Sequence, residues 1–144
     1  KYARYFHISV RNLNPYKHAR NCYAFLESIL NLSTGESLHV ECVEFKWAGY
    51  VLPNATILPS SLRSIDGFYV FHDAPNILQF NLFTDSGHFV PRVEGHGDYK
   101  LTYLVVSDNF EPIRSAFRVH LGNKLNEIKF EPEETNAPVI GSIN

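Results

Sequence analysis

Apolar residues recur at every second position in this chain, over and over, and few folds can use such a pattern. Residues 5–11, YFHISVR, put Phe6, Ile8 and Val10 on one side and Tyr5, His7, Ser9 and Arg11 on the other. In residues 97–122, GDYKLTYLVVSDNFEPIRSAFRVHLG, the residues Tyr99, Leu101, Tyr103 and Val105 share a side. After the polar centre Ser107-Asp108-Asn109, the apolar set Ile113, Phe117, Val119 and Leu121 runs among Arg114, Arg118 and His120. Side chains of a strand alternate between its faces, so a period of two predicts half-buried β-strands. Residues 97–122 read as a hairpin, with Ser107 to Pro112 as the connection and Asp108-Asn109 as turn formers.

The rest of the chain extends this reading. In residues 19–30, ARNCYAFLESIL, the Ala, Leu and Glu content suits a helix, but Cys22, Ala24 and Leu26 alternate, and a strand is the expectation. Residues 38–47, LHVECVEFKW, change phase midway: Leu38, Val40 and Cys42 are in step, then Val43, Phe45 and Trp47 in the opposite step. Such a slip marks a β-bulge, here expected at Cys42-Val43, or a strand that switches sheets. Residues 48–64 and 84–98 read as loops, and 65–71, 76–83 and 127–130 as further strands. No strand is followed by an amphipathic helix, which argues against α/β enzyme folds. The expectation is all-β: an immunoglobulin-like antiparallel β-sandwich of seven or eight strands over residues 1–131, with 132–144 a flexible tail or linker.

Composition excludes several functions. Hydrophobic residues at 44% and charged residues at 19% describe a globular chain rather than a disordered one. A formal net charge of -2 gives no electrostatic footprint for nucleic acid. No apolar run reaches the roughly 18 residues of a membrane helix, so no direct membrane insertion by this segment is expected. The chain begins at Lys1 and contains no Met, as a piece cut from a longer polypeptide would. A cell-envelope or membrane-anchored setting is slightly favoured over a soluble cytoplasmic one.

Cys22 and Cys42 allow a disulfide suited to an exported domain, or two buried thiols acting as small hydrophobes. Asn31-Leu32-Ser33 and Asn54-Ala55-Thr56 are glycosylation sequons, meaningful only in a eukaryotic secreted protein.

The stretches ISVRN, ARNCYAFL, GDYKLTYLVVSDN and IRSAFRVHL together resemble the bacterial and archaeal immunoglobulin-like domains of the CARDB and NEW3 type. The resemblance covers about half the chain and does not extend to ECVEFKWAGYVLPNATILPSS. It implies a sandwich attached to a larger, often envelope-associated protein, with no catalytic residues and no cofactor to carry over. Within that fold Tyr99, just after Gly97-Asp98, would plug the sandwich end and bond its hydroxyl to nearby backbone. Trp47, Cys22 and Cys42 would be structural.

Chemistry-bearing patterns are sparse. His72, His88 and His96, with Asp73, Glu94 and Asp98 nearby in sequence, are weak metal candidates, since imidazole and carboxylate suit zinc but the spacing matches no metal motif. A nucleophilic Cys22 or Cys42 is disfavoured by inward strand positions, which raise a thiol's pKa and block access. There is no Gly-x-Ser-x-Gly elbow and no phosphate loop leading into a helix. Tyr5, Tyr16, Tyr50 and Tyr69 can stack a ligand or simply pack. The expectation is a non-enzymatic interaction or spacer module, its partner a protein or small ligand and Ser107, Asp108 and Asn109 its interaction loop. A ligand-sensing regulatory domain is the alternative, and a metal-dependent hydrolase a distant second.

Overall fold

The structure, a computed structural model, describes residues 2–38, 43–49, 52–81, 93–133 and 139–140. The predicted alternation of Phe6, Ile8 and Val10 becomes strand β1 (Ala3–Asn12), with those three side chains buried and Tyr5, His7 and Arg11 exposed. β1 pairs antiparallel with β6 (Leu62–Phe71). β12 (Val139–Ile140) adds to the other edge of β1 in parallel, giving the order β12-β1-β6.

The second sheet is built around β2 (Ala19–Asn31), the stretch whose composition also suited a helix. Its extended form places Cys22, Ala24, Leu26 and Ile29 in the core. One side of β2 pairs with β9 (Gly97–Val106), which pairs with β10 (Ile113–Leu121), which pairs with β11 (Lys129–Pro132). A 3-10 turn at Leu125–Glu127 connects the last two. The other side of β2 carries three short strands in succession: β3 (Ser37–Leu38), β4 (Val43–Glu44) and β5 (Ala55–Ile57). β7 (Ile77–Leu78) and β8 (Val93–Glu94) form a small ribbon of their own. Twelve strands and no α-helix occur among the described residues. The chain is all-β, and among the described residues every strand pair but β1 with β12 is antiparallel.

The two large sheets pack face to face. Phe130 of β11 meets Phe6 and Phe68 of the β1–β6 pair edge-on, with ring centroids 6.0 and 4.9 Å apart. Among the described residues Trp47, Phe45 and Phe68 are the largest fully buried side chains, and burial of each phenylalanine stabilises the fold by roughly 1.5–3 kcal/mol relative to exposure. The segment after β4 joins the sheets. Phe45 N–H donates to Ala24 of β2, while Trp47 bridges Ile65 and Ala48 N–H donates to Ser64, both of β6. The chain therefore passes from one sheet to the other between Phe45 and Trp47, two residues that the sequence reading put in the same phase. The bulge expected at Cys42-Val43 involves Cys42, which lies outside the described residues.

Several sequence expectations need amendment. Residues 48–64, read as a loop, contain β5 and the start of β6, and residues 84–98 contain β8 and the start of β9. These strands are two or three residues long or extend a strand already read, too short to establish a period. Among the described residues, five of the twelve strands are two-residue pieces. Pro132 belongs to β11, and Val139–Ile140 form β12.

Candidate functional site

One end of the second sheet gathers the start of β2, strand β5 and the tip of the β9–β10 hairpin. Its geometry begins with a break in parity. Ala19 faces Ile57 and Cys22 faces Ala55, so Arg20 and Asn21 together oppose the single residue Thr56. That is a β-bulge. Asn21 takes φ +49°, a left-handed conformation that asparagine tolerates better than most residues. The bulge leaves both Arg20 and Asn21 exposed, where regular alternation would have turned one of them inwards.

Neighbouring loops hold the bulge from both sides. Asn109 accepts from Arg20 N–H at 3.0 Å and donates through Nδ2 to the His18 carbonyl at 2.7 Å. Asp108 N–H donates to the Arg20 carbonyl at 2.9 Å. The Asn21 side-chain amide donates to Asp108 Oδ2 at 2.6 Å and accepts from Asn54 Nδ2 at 3.0 Å. Within the hairpin tip, Phe110 N–H donates to Ser107 Oγ at 3.1 Å. Ser107, Asp108 and Asn109 thus sit at the connection of the hairpin, and the polar groups of Asp108 and Asn109 are bonded to the start of β2.

The loop before β2 is equally well fixed. Asn12 is 1% exposed, the one buried polar side chain among the described residues, and its hydrogen-bonding groups are used. Its Nδ2 donates to the carbonyls of Lys17 (2.7 Å) and Ile57 (3.1 Å), and its Oδ1 accepts from Asn14 N–H (3.0 Å). Asn14 Oδ1 accepts from the backbone of Tyr16 and Lys17, both at 2.9 Å. The turn chemistry of Asn12-Leu13-Asn14-Pro15 is therefore a set of side-chain-to-backbone bonds tying residues 12–17 to β5.

Between these parts lies an open cleft of about 570 Å³ lined by Lys17, His18, Arg20, Thr56 and Asn109. Lys17, His18, Arg20 and Thr56 are exposed. Lys17 and Arg20 form no ion pair among the described residues. Tyr16, beside Lys17 in the chain, is 86% exposed.

Other residues singled out from the sequence lie elsewhere. Tyr99 is buried, and its hydroxyl donates to the carbonyls of Glu94 and Gly95 at 3.3 and 3.4 Å, with burial pushing the phenol's pKa up. Trp47 is buried and donates through Nε1 to the Cys22 carbonyl at 3.0 Å. Cys22 is a buried free thiol. Its burial pushes the pKa up to about 11, the Asp108 carboxylate adding to the rise and a backbone hydrogen bond at Ile57 opposing it. Cys42 and Tyr50 lie outside the described residues. His72 is exposed, with its ring edge-on to Tyr2, and His96 Nδ1 lies 3.1 Å from the Gly122 carbonyl. His88 lies outside the described residues, among which no group of three or more metal-ligating side chains occurs. Tyr5 and Tyr69 stack on each other with centroids 5.2 Å apart, on the outer face of β1 and β6.

Sequence reasoning passed over Lys17, His18, Arg20 and Asn21. A signal was there: apolar Ala19 and Cys22 are three apart, a spacing that breaks the period of two and marks a bulge. No family model, no curated protein and no solved structure matches the chain.

Proposed function

We propose that this chain is a non-enzymatic recognition module of immunoglobulin-like type, working at the β2–β5–hairpin end within a larger protein. The observation that carries this reading is the bulge at Arg20-Asn21. A left-handed residue held by side chains from two separate loops is a locally unfavourable conformation that the surroundings maintain, and such features collect at functional sites. Here the effect is to present Arg20 and Asn21 outwards on a rigid frame.

Internal ligand sensing has less support. The space between the sheets, lined by Ile8, Val10, Ile65, Tyr103, Val105, Ile113 and Ser115, is about 10 Å³. That is about the room for one water molecule. The cleft is the larger and more accessible site.

The test is site-specific photo-crosslinking in cells. A photoreactive residue is placed at Thr56 on the cleft, or at Thr102 of β9 as a comparison. A discrete crosslinked product from position 56 and none from position 102 is the expected result. Equal products from both positions, or none, would mean that the module acts as a spacer.

A further inference from the structure

We infer that the cleft takes a short acidic peptide segment of a partner protein, its carboxylates meeting Lys17 and Arg20. This rests on the recognition reading of the same end and names the chemistry of the partner. Among the described residues the lining contains an ammonium, a guanidinium, an imidazole, a hydroxyl and an amide, and no carboxylate. In a chain of net charge -2, that is a local reversal of sign. A guanidinium presents paired N–H donors in a fork that matches a carboxylate, and such charge-assisted bonds are roughly twice as strong as neutral ones.

Preorganisation strengthens the case. The backbone that carries Lys17 is held by Asn12 and Asn14, and the backbone that carries Arg20 is held by Asp108 and Asn109. Ordering these loops is complete before a ligand arrives, so less conformational entropy opposes binding. The side chain of Asn109, committed to His18 and Arg20, forms part of the wall.

The same electrostatics limits the length of the ligand. Asp108 and Glu111 are exposed on the adjoining hairpin tip. A long polyanion running on over the hairpin tip would be opposed by these like charges, whereas a few acidic residues can be held within the cleft of about 570 Å³. A peptide fits this description better than nucleic acid or a sulfated polysaccharide.

The test is fluorescence anisotropy of the whole 144-residue chain with a fluorescein-labelled oligo-glutamate peptide. An oligo-lysine peptide, a heparin oligosaccharide and phosphatidylserine vesicles serve as competitors and controls. Saturable binding of oligo-glutamate that weakens with added salt is expected. The Lys17→Ser/Arg20→Ser double variant should bind at least about tenfold more weakly, the scale of losing one charge-assisted bond. Arg118→Ser, a cation on β10 away from the cleft, should bind as the parent does. Both variants alter exposed side chains, so unchanged melting temperatures would verify their folding. No peptide binding, equal loss with Arg118→Ser, or preference for heparin or vesicles would overturn the proposal. Crosslinking from position 56 that persists despite such a result would retire the acidic-peptide chemistry alone, whereas loss of both results would retire the recognition reading too.

Discussion

The Tyr103 hydroxyl of one sheet donates to the Gly67 carbonyl of the other at 2.8 Å, in a fully buried position. Two irregularities make this bond possible. The β1–β6 register shifts between Phe6, opposite Phe68, and His7, opposite Asp66, so Gly67 has no partner in β1. Its carbonyl is thereby released from the ladder, and Tyr103 supplies the partner that a buried carbonyl requires. A Cβ at this position would lie 2.8 Å from Ile8 Cδ1 and 3.2 Å from the Tyr103 hydroxyl, so a larger residue here would force Ile8 to shift.

Tyr103→Phe should therefore lower unfolding stability by roughly 1–3 kcal/mol, the scale of leaving a buried acceptor unsatisfied. Gly67→Ala should destabilise by a comparable amount, about 1–3 kcal/mol, through overpacking against Ile8. Urea titration of both variants and of the double variant checks this. Because the residues share one contact, the double variant should lose less than the sum of the singles.

The bulge at Asn21 is expected to discriminate between replacements. Asn21→Gly keeps the left-handed backbone accessible but loses the bonds to Asp108 and Asn54. Asn21→Val loses both the bonds and the conformation, because a β-branched residue is a steric outlier there. Thermal unfolding should rank the parent above the glycine variant, and that variant above the valine one by about 1 kcal/mol or more.

Asn109→Ala removes the acceptor for Arg20 N–H and the donor to the His18 carbonyl. The expected loss of stability is about 1 kcal/mol, since water can replace much of an exposed hydrogen bond. The sharper readout is local. Amide exchange at Arg20 should accelerate in this variant, while exchange along β9 and β10 away from the tip stays as it is in the parent.

Alkaline pH should weaken the fold through Cys22. Its pKa rises on folding from 9.0 to about 11, so the thiol stays protonated in the native chain over a range where the unfolded chain has lost the proton. The native state then binds more protons, and unfolding stability falls as pH rises through that window. The contribution is intact below about pH 9 and declines by up to roughly 1.4 kcal/mol per pH unit above it. Cys22→Ala should flatten the slope between pH 8 and pH 10. Tyr103, whose phenol burial pushes well above its usual range, acts in the same direction at higher pH. The native thiol should also react sluggishly with a disulfide reagent at pH 8 and rapidly once denaturant is added.

The hairpin at residues 97–122 was legible residue by residue. Tyr99, Leu101, Tyr103 and Val105 are buried, and Ile113 faces Val105 in the register that Ser107 to Pro112 as the connection requires. The same holds for Phe6, Ile8 and Val10 in β1. These strands have one wet face and one dry face, so the pattern is written along the chain itself. The cleft was far less legible. Arg20 and Asn21 are ordinary polar residues in sequence, and their importance comes from partners such as Asn54 and Asp108, far away along the chain. Thr56 lay in a segment read as a loop, because a three-residue strand is too short to display a period.

Alternation along β1, β2, β6, β9 and β10 was enough to make this an all-β chain, since burying one face of each strand requires two sheets to meet. Local chemistry likewise placed the turns, through Asn12, Asn14 and Asp108. Which strands became neighbours was a matter of long-range pairing and packing. The sheet switch between Phe45 and Trp47, the addition of Val139–Ile140 beside β1 and the bond from Tyr103 to Gly67 all depend on it. So does the cleft, because the bulge in β2 borders it only where β5 and the hairpin tip close around it. Hydrophobic periodicity is a one-dimensional signal that reports which face is dry. It carries no information about which distant residue lies opposite, and a recognition surface is made of such oppositions.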